Sequence, residues 1–211
     1  MIRPVLMSAV LCLDSGLAAQ DARAFKELSK GSPGCPRVND TSVGAHRQAG
    51  ARPMKDAASD EIVARGARRS AAAFGVTDQE GRLATVAEQR GSIVIVGFWS
   101  TRCEPSMRML QEFRNFQKQA AVRGMKLVLW PVHFEPWSEV NGFLRTKAAY
   151  FEGVQVKRLG LGDHGLSQLI NELDSLPTVF VIDKEGNIAS FWTGYHENLL
   201  LARINGLLRE R

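Results

Sequence analysis

The sequence predicts an α/β domain over residues 73–211, with a central, mostly parallel sheet flanked by helices and closed by a C-terminal β-hairpin and helix. Three observations carry that expectation. From Phe74 onward, short β-branched apolar runs alternate with longer stretches whose apolar residues recur at helical spacing, the pattern of strands joined by crossover helices. The run Ile93 to Trp99 is apolar throughout, as a strand covered on both faces must be. With 45% hydrophobic and 23% charged residues over 211 positions, the chain can build one packed core, and no apolar run approaches the length of a membrane-spanning helix.

The elements follow in order. Ile93 to Trp99, bounded upstream by Gly91, is the first strand of the βα alternation. Pro105 to Arg123 reads as a helix, with Leu110, Phe113, Phe116 and Ala120 on one face and Gly124 to end it. Met125 to Val132 is the next strand. Ser138 is placed to cap a helix carrying Val140, Phe143, Leu144 and Tyr150, followed by a short strand at Val154 to Arg158. Leu166, Leu169, Ile170 and Leu173 mark another helix. Thr178 to Ile182 and Ile188 to Trp192 are strands joined by the turn Asp183-Lys184-Glu185-Gly186-Asn187, and Leu200, Ile204, Leu207 and Leu208 place the last helix. Trp130, Trp137 and Trp192 are expected to pack the core and its rim.

The first 72 residues read differently. One Arg in Met1 to Pro4, the apolar stretch Val5 to Leu13 and the small residues Gly16 to Ala19 give the order of a secretory signal peptide over residues 1–19, although Asp14 is costly at the edge of its apolar centre. Cys12 lacks the small residue expected before a lipidated cysteine, so no lipid anchor is expected. Residues 20–72 show no sustained period, and Gly31-Ser32-Pro33-Gly34-Cys35-Pro36 is loop chemistry, so this stretch is expected to be a low-order basic linker with at most a short helix near Asp56 to Gly66. Arg65, Arg68 and Arg69 are expected to be solvated within it. Residues 1–72 hold 11 Lys/Arg against 7 Asp/Glu, a net +4, whereas residues 73–211 hold 16 against 15, a net +1. A near-neutral domain with a basic lead-in argues against a dedicated phosphate-binding face.

Chemistry concentrates in Phe98-Trp99-Ser100-Thr101-Arg102-Cys103-Glu104-Pro105-Ser106, where a strand ends and Cys103 falls at a helix start. Unpaired backbone N–H groups, the helix dipole and adjacent Arg102 favour a thiolate there, while Glu104 opposes it. The bland alternative is a small buried thiol with no reactivity. Once a leader is removed, Cys35 is the one internal partner for Cys103 and its Gly/Pro loop could reach, but flexibility alone is a weak warrant for a bond, and the two cysteines of an exported chain could instead stay free. His46, His133, His164 and His196 are widely spaced and lack metal-ligand companions, so they read as surface or packing residues and no metal site is expected.

These residues resemble the TlpA/ResA branch of the thioredoxin superfamily, whose members are extracytoplasmic thiol–disulfide oxidoreductases. The likeness spans about Ala73 to Leu208: Phe74 to Gly81 as an entry hairpin, Gly97-Phe98-Trp99 before the active-site loop, Cys103-Glu104-Pro105 at the C-x-x-C position, Leu176-Pro177-Thr178 as the proline loop, Phe180 to Gly186 as strand and turn, and Gly194 near the end. It implies a thioredoxin-like fold, a cis Pro177 beside Cys103, and a substrate groove shaped by Leu176, Pro177 and Trp99. The motif is degenerate. Ser106 replaces the second cysteine, Arg102 the usual Trp, and Met109 the acid that ResA-type members carry in this helix. A C-x-x-C enzyme releases its substrate when the second thiolate attacks the mixed disulfide, which Ser106 cannot do.

The sequence therefore favours an exported, monothiol oxidoreductase acting on a thiol or disulfide of a protein or small molecule through Cys103. Arg102 stabilises the thiolate, Ser106 donates a hydrogen bond to it, and an external thiol completes turnover. No cofactor is required, no nucleic acid is bound, and any membrane association is confined to the membrane surface. Two alternatives remain. One is a redox-inert binding module using the same groove, which would keep its partners in Cys103→Ala. The other is a peroxiredoxin-like peroxidase, suggested by Ser100 three residues before the thiol and tested by peroxide consumption.

Overall fold

In the computed structural model, which describes Cys35, residues 62–159, Leu173 and residues 175–210, seven strands form one mixed sheet. The short strands β1 (Gly75–Thr77) and β2 (Leu83–Thr85) make the entry hairpin. β3 (Ile93–Trp99), β4 (Leu127–His133), β5 (Lys157–Leu159), β6 (Thr178–Ile182) and β7 (Ile188–Thr193) complete the order β2-β1-β5-β4-β3-β6-β7. The helices are α1 (Glu104–Val122), α2 (Trp137–Thr146), the single turn α3 (Ala148–Phe151) and α4 (Leu199–Arg209). The leader read at residues 1–19 and the helix expected around Leu166 to Ile170 lie outside the described residues.

The thioredoxin-like α/β class holds, but the sheet is mixed, not mostly parallel. β3 pairs parallel with β4, and β4 with β5, whereas β6 runs antiparallel to β3 as well as to β7. An apolar run reports that a strand is covered on both faces and carries no record of its direction, so periodicity alone could not have found this. α2 also starts differently: Pro136 is its N-cap, and Ser138 lies within the first turn without capping it. Proline's fixed backbone angle and missing N–H suit a helix entrance.

Alternation along β3 builds a two-faced core. Val94, Val96 and Phe98 join one apolar cluster with Phe74, Trp130 and Phe180, while Ile93, Ile95 and Trp99 join the other with Leu110, Phe113 and Ile204. Gly97 faces α1, where a Cβ would lie 2.7 Å from the Phe113 ring and 2.9 Å from Met109 Cε. Only a residue without a side chain lets α1 sit this close to the strand whose end carries the candidate site.

Among the described residues, Ile62 already packs against the core, upstream of the expected boundary at Ala73. Val63 N–H donates to Ala189 O at 2.9 Å, Ile188 N–H to Arg69 O at 2.8 Å and Ala71 N–H to Gly186 O at 2.8 Å, so this segment pairs along β7 and covers the sheet edge. The expectation of solvated arginines fails at Arg68. Its side chain is 1% exposed and donates to Val63 O at 2.8 Å, to Asp183 Oδ2 at 3.0 Å and to Glu210 Oε1. The partners lie 115 and 142 residues away, which local composition cannot reveal. Arg65 does remain exposed, paired at 3.3 Å with Glu210.

Candidate active site

β3 ends at Trp99, Ser100 to Arg102 form a short loop, and Cys103 is the N-cap residue of α1, with φ −111° and ψ 109°. Pro105 in the first turn costs no hydrogen bond, because the first N–H groups of a helix have no partner within it. The helix dipole favours negative charge at this end, although the Cys103 side chain makes no capping hydrogen bond and Ser106 N–H donates to Cys103 O at 3.0 Å. Glu104, the opposing charge, is engaged by Arg108 at 3.1 Å one turn along, and this softens its effect on the sulfur.

Cys103 Sγ is bonded to Cys35 Sγ across a sequence separation of 68 residues. The thiol expected to depend on an external partner thus has an internal one. Cys103 is 0% exposed, and Cys35 is the exposed member of the pair. Behind the bond, Cys103 Sγ lies 3.4 Å from the carbonyl oxygen of Leu176, and the Leu176–Pro177 peptide bond is cis. Pro177 O accepts from Gly194 N–H at 2.7 Å, and Thr178 Oγ1 donates to Ser175 O at 2.7 Å, so the proline loop is tied to the end of β7 and to its own turn.

The other expected site residues are placed as follows. Ser106 is buried, and its hydroxyl accepts from Ser100 N–H at 3.5 Å, bracing the loop before the cysteine. Arg102 is exposed beside Cys103, and its N–H donates to Ser100 Oγ at 3.2 Å. Leu176 and Pro177 are both enclosed in the disulfide-bonded state. Trp99 does not line a groove: it is fully enclosed on the α1 side, packed against His133 and Phe143. As the last residue of an inner strand it points into the core, which a motif position alone does not disclose. His133 is a packing residue, as expected. Its Nδ1 lies 3.0 Å from Glu135 O, its ring meets Trp137 edge-on at 4.4 Å, and burial pulls its pKa down to about 4, leaving it neutral. Among the described residues no group of three metal-ligating side chains comes together.

Sequence reasoning missed a carboxylate beneath the loop. Glu135 Oε1 accepts from Thr101 N–H at 2.8 Å and lies 3.4 Å from Thr101 Oγ1, which also lies 3.3 Å from Glu139 Oε1. The contact joins residues 34 apart, and one acidic residue after a strand offers no spacing signal.

Comparison with known proteins agrees with this geometry. The sequence profile described as "AhpC/TSA family" matches residues 67–191. Thiol-disulfide oxidoreductase ResA of Geobacillus thermodenitrificans is 28% identical over 123 residues, covering 57% of this chain and 66% of that protein, and its counterpart in Bacillus subtilis is 27% identical over 122 residues, covering 57% and 64%. The chain therefore spans slightly under two thirds of those relatives. Among solved structures, a DsbE-type thiol:disulfide interchange protein of Chlorobium tepidum superposes with a TM-score of 0.55 at 19% identity, covering 67% of this chain and 96% of that one. A thioredoxin-family thiol:disulfide interchange protein of Chlorobium tepidum TLS gives 0.51 at 23%, covering 69% and 99%. These likenesses show the thioredoxin-like fold.

Proposed function

The chain belongs to the AhpC/TSA family in its ResA-like, thioredoxin-fold form, and from that premise we propose that it is an exported thiol–disulfide oxidoreductase whose working pair is Cys103 and Cys35. The observation that carries the reading is the Cys35–Cys103 bond at a helix start beside a cis proline. In the reduced protein, the Cys103 thiolate, favoured by the helix N-terminus and Arg102, attacks one sulfur of a substrate disulfide. A mixed disulfide forms and the first substrate thiolate leaves. Cys35 then attacks Cys103 Sγ, releasing the second substrate thiolate and closing the internal bond. Two electrons pass from the dithiol to the substrate, and the two cysteine protons go to the released thiolates. Run backwards, the same steps oxidise a substrate dithiol. Cys35 thus does what Ser106 cannot, while Ser106 braces the loop. With the internal bond open, the cis Pro177 loop next to Cys103 offers backbone groups to an extended substrate.

The test compares Cys35→Ser with Cys103→Ser in reduction of a model protein disulfide. Cys35→Ser should accumulate a mixed disulfide at Cys103, visible by mass spectrometry, and Cys103→Ser should trap nothing. Equal trapping by both variants, or by neither, overturns the reading. The family match also favours a second reading, in which Cys103 attacks a hydroperoxide, releases an alcohol or water, becomes a sulfenic acid, and condenses with Cys35 to give the same disulfide and water. Peroxide consumption by the reduced protein, lost in Cys103→Ser, would select it. No described helix is long and apolar enough to cross a membrane.

A further inference from the structure

Glu135 is 8% exposed, yet only one of its carboxylate oxygens is used. Oε1 takes the Thr101 N–H, while Oε2 is buried without a hydrogen-bond partner among the described residues. Leaving a buried carboxylate oxygen unpaired is costly, and a site that carries that cost merits a functional question. Glu135 sits where β4 gives way to α2, and the group it holds is two residues before Cys103. The backbone of the loop it grips is otherwise braced by short-range bonds, Arg102 N–H to Ser100 Oγ, Cys103 N–H to Ser100 O and Ser100 N–H to Ser106 Oγ, while the Thr101 hydroxyl also reaches Glu139.

We infer that Glu135 is a positioning residue for Cys103. Its carboxylate fixes the loop that presents the sulfur, and its buried negative charge biases the reduced cysteine toward the thiol. The inference deepens the proposed function and rests on it for its biological meaning. Among the described residues, the charged groups near the sulfur are these. Arg102 and Glu104 flank it along the chain, with Glu104 held by Arg108. Glu135 and Glu139 approach through Thr101 from the β4–α2 side, where His133 stays neutral. The proline loop offers the carbonyl of Leu176. Glu135 is therefore the enclosed charge on the loop's inner side, where screening by water is weakest. It opposes the helix start and Arg102, so that the Cys103 thiolate is held back until a substrate occupies the site.

The test uses the full-length protein, reduced with dithiothreitol, and reads iodoacetamide alkylation of Cys103 against pH in a Cys35→Ser background. Glu135→Gln keeps the shape and one acceptor but removes the charge, so the alkylation midpoint should fall by about one pH unit. Below the midpoint, alkylation should then be about tenfold faster, because the thiolate fraction there rises tenfold for each unit by which the midpoint falls. Glu135→Asp keeps the charge and should leave the midpoint within a few tenths of a unit. Glu139→Gln, further from the loop N–H, should move it less than Glu135→Gln does. An unmoved midpoint in folded Glu135→Gln overturns the inference, as does an equal shift in Glu135→Asp. If Glu135→Gln fails to fold, Glu135→Met serves as the second charge-free variant, and failure of both, with Glu139→Gln folded, would place Glu135 in the fold's stability and also overturn the inference. Because alkylation needs no substrate turnover, a protein inactive on every disulfide offered would sink the proposed function and still decide this point.

Discussion

Arg68→Met tests the claim that the packed domain starts upstream of Ala73. Methionine keeps most of the buried stem and removes the guanidinium, with its bonds to Val63 O, Asp183 Oδ2 and Glu210 Oε1. The loss is unequal across those partners. Glu210, with a side chain 27% exposed, can rehydrate, whereas the Asp183 side chain is 6% exposed and would keep its charge with only the N–H groups of Glu185 and Asn187, at 3.0 and 2.9 Å. Removing one member of a buried ion pair costs about 3–5 kcal/mol. The surviving bonds on Asp183 put the expectation near the lower end, about 3 kcal/mol. Urea unfolding of the oxidised protein, with a slope of about 2 kcal/mol/M, should therefore show a midpoint lowered by about 1.5 M. Arg68→Lys, which retains the charge with fewer donors, should fall between wild type and Arg68→Met. A change within about 0.5 kcal/mol for Arg68→Met is what a solvated surface residue gives, and it would refute the argument.

Two further perturbations probe the body that holds the site. Burial, then the neighbouring charge of Glu197, raises the Glu112 pKa from the ordinary 4.5 to about 7, so the folded state binds this proton more tightly than the unfolded one. Its stabilising contribution is complete below pH about 4.5 and is lost as the pH rises through about 7, to a limit of about 3 kcal/mol that partial exposure reduces to about 1–2 kcal/mol. Glu112→Gln should accordingly raise the melting temperature relative to wild type at pH 8 and leave it nearly unchanged at pH 4. A gain that is independent of pH would show that the carboxylate's ionisation is not the cause. Gly97→Ala places a methyl group 2.7 Å from the Phe113 ring, and overpacking of this kind costs about 1–3 kcal/mol, or about 5 °C of melting temperature by thermal denaturation. An unchanged melting temperature would mean that α1 does not lie against β3 as closely as described.

What could be read from the sequence is what local chemistry encodes. Ile93 to Trp99 and Thr178 to Ile182 are strands with the expected bounds because an unbroken β-branched run has few other uses, and α1 was visible through Leu110, Phe113, Phe116 and Ala120. Cys103 at a helix start followed from the strand that ends at Trp99 and the helical spacing after Pro105, and a cis Pro177 from a family likeness whose motifs sit in fixed order. The misses are long-range events. Strand direction at β6, the enclosure of Trp99, the burial of Arg68 by Asp183 and Glu210, and the grip of Glu135 on Thr101 each depend on residues at least 34 positions apart or on which side of the sheet a chain arrives. No window of sequence holds both partners, so composition assigned Arg68 to a linker and left Glu135 unnoticed.

The pairing of Cys35 with Cys103 bears on why Ser106 can stand at the second motif position. In a C-x-x-C site both sulfurs belong to one helix turn, so their effective concentration is fixed by the helix itself. Here the second sulfur arrives from 68 residues away, and its effective concentration depends on how the chain around Cys35 is held against the body. On the proposed function, whatever docks that chain favours the closed, oxidised form, and whatever draws it away favours the open dithiol with Cys103 uncovered. A partner that binds the segment around Cys35 would shift the redox equilibrium without touching Cys103, a coupling that a motif-contained pair does not offer. The degenerate motif would then mark a division of labour between segments: the domain supplies the nucleophile, the cis proline and the buried Glu135, and the N-terminal chain supplies the sulfur that ends the exchange.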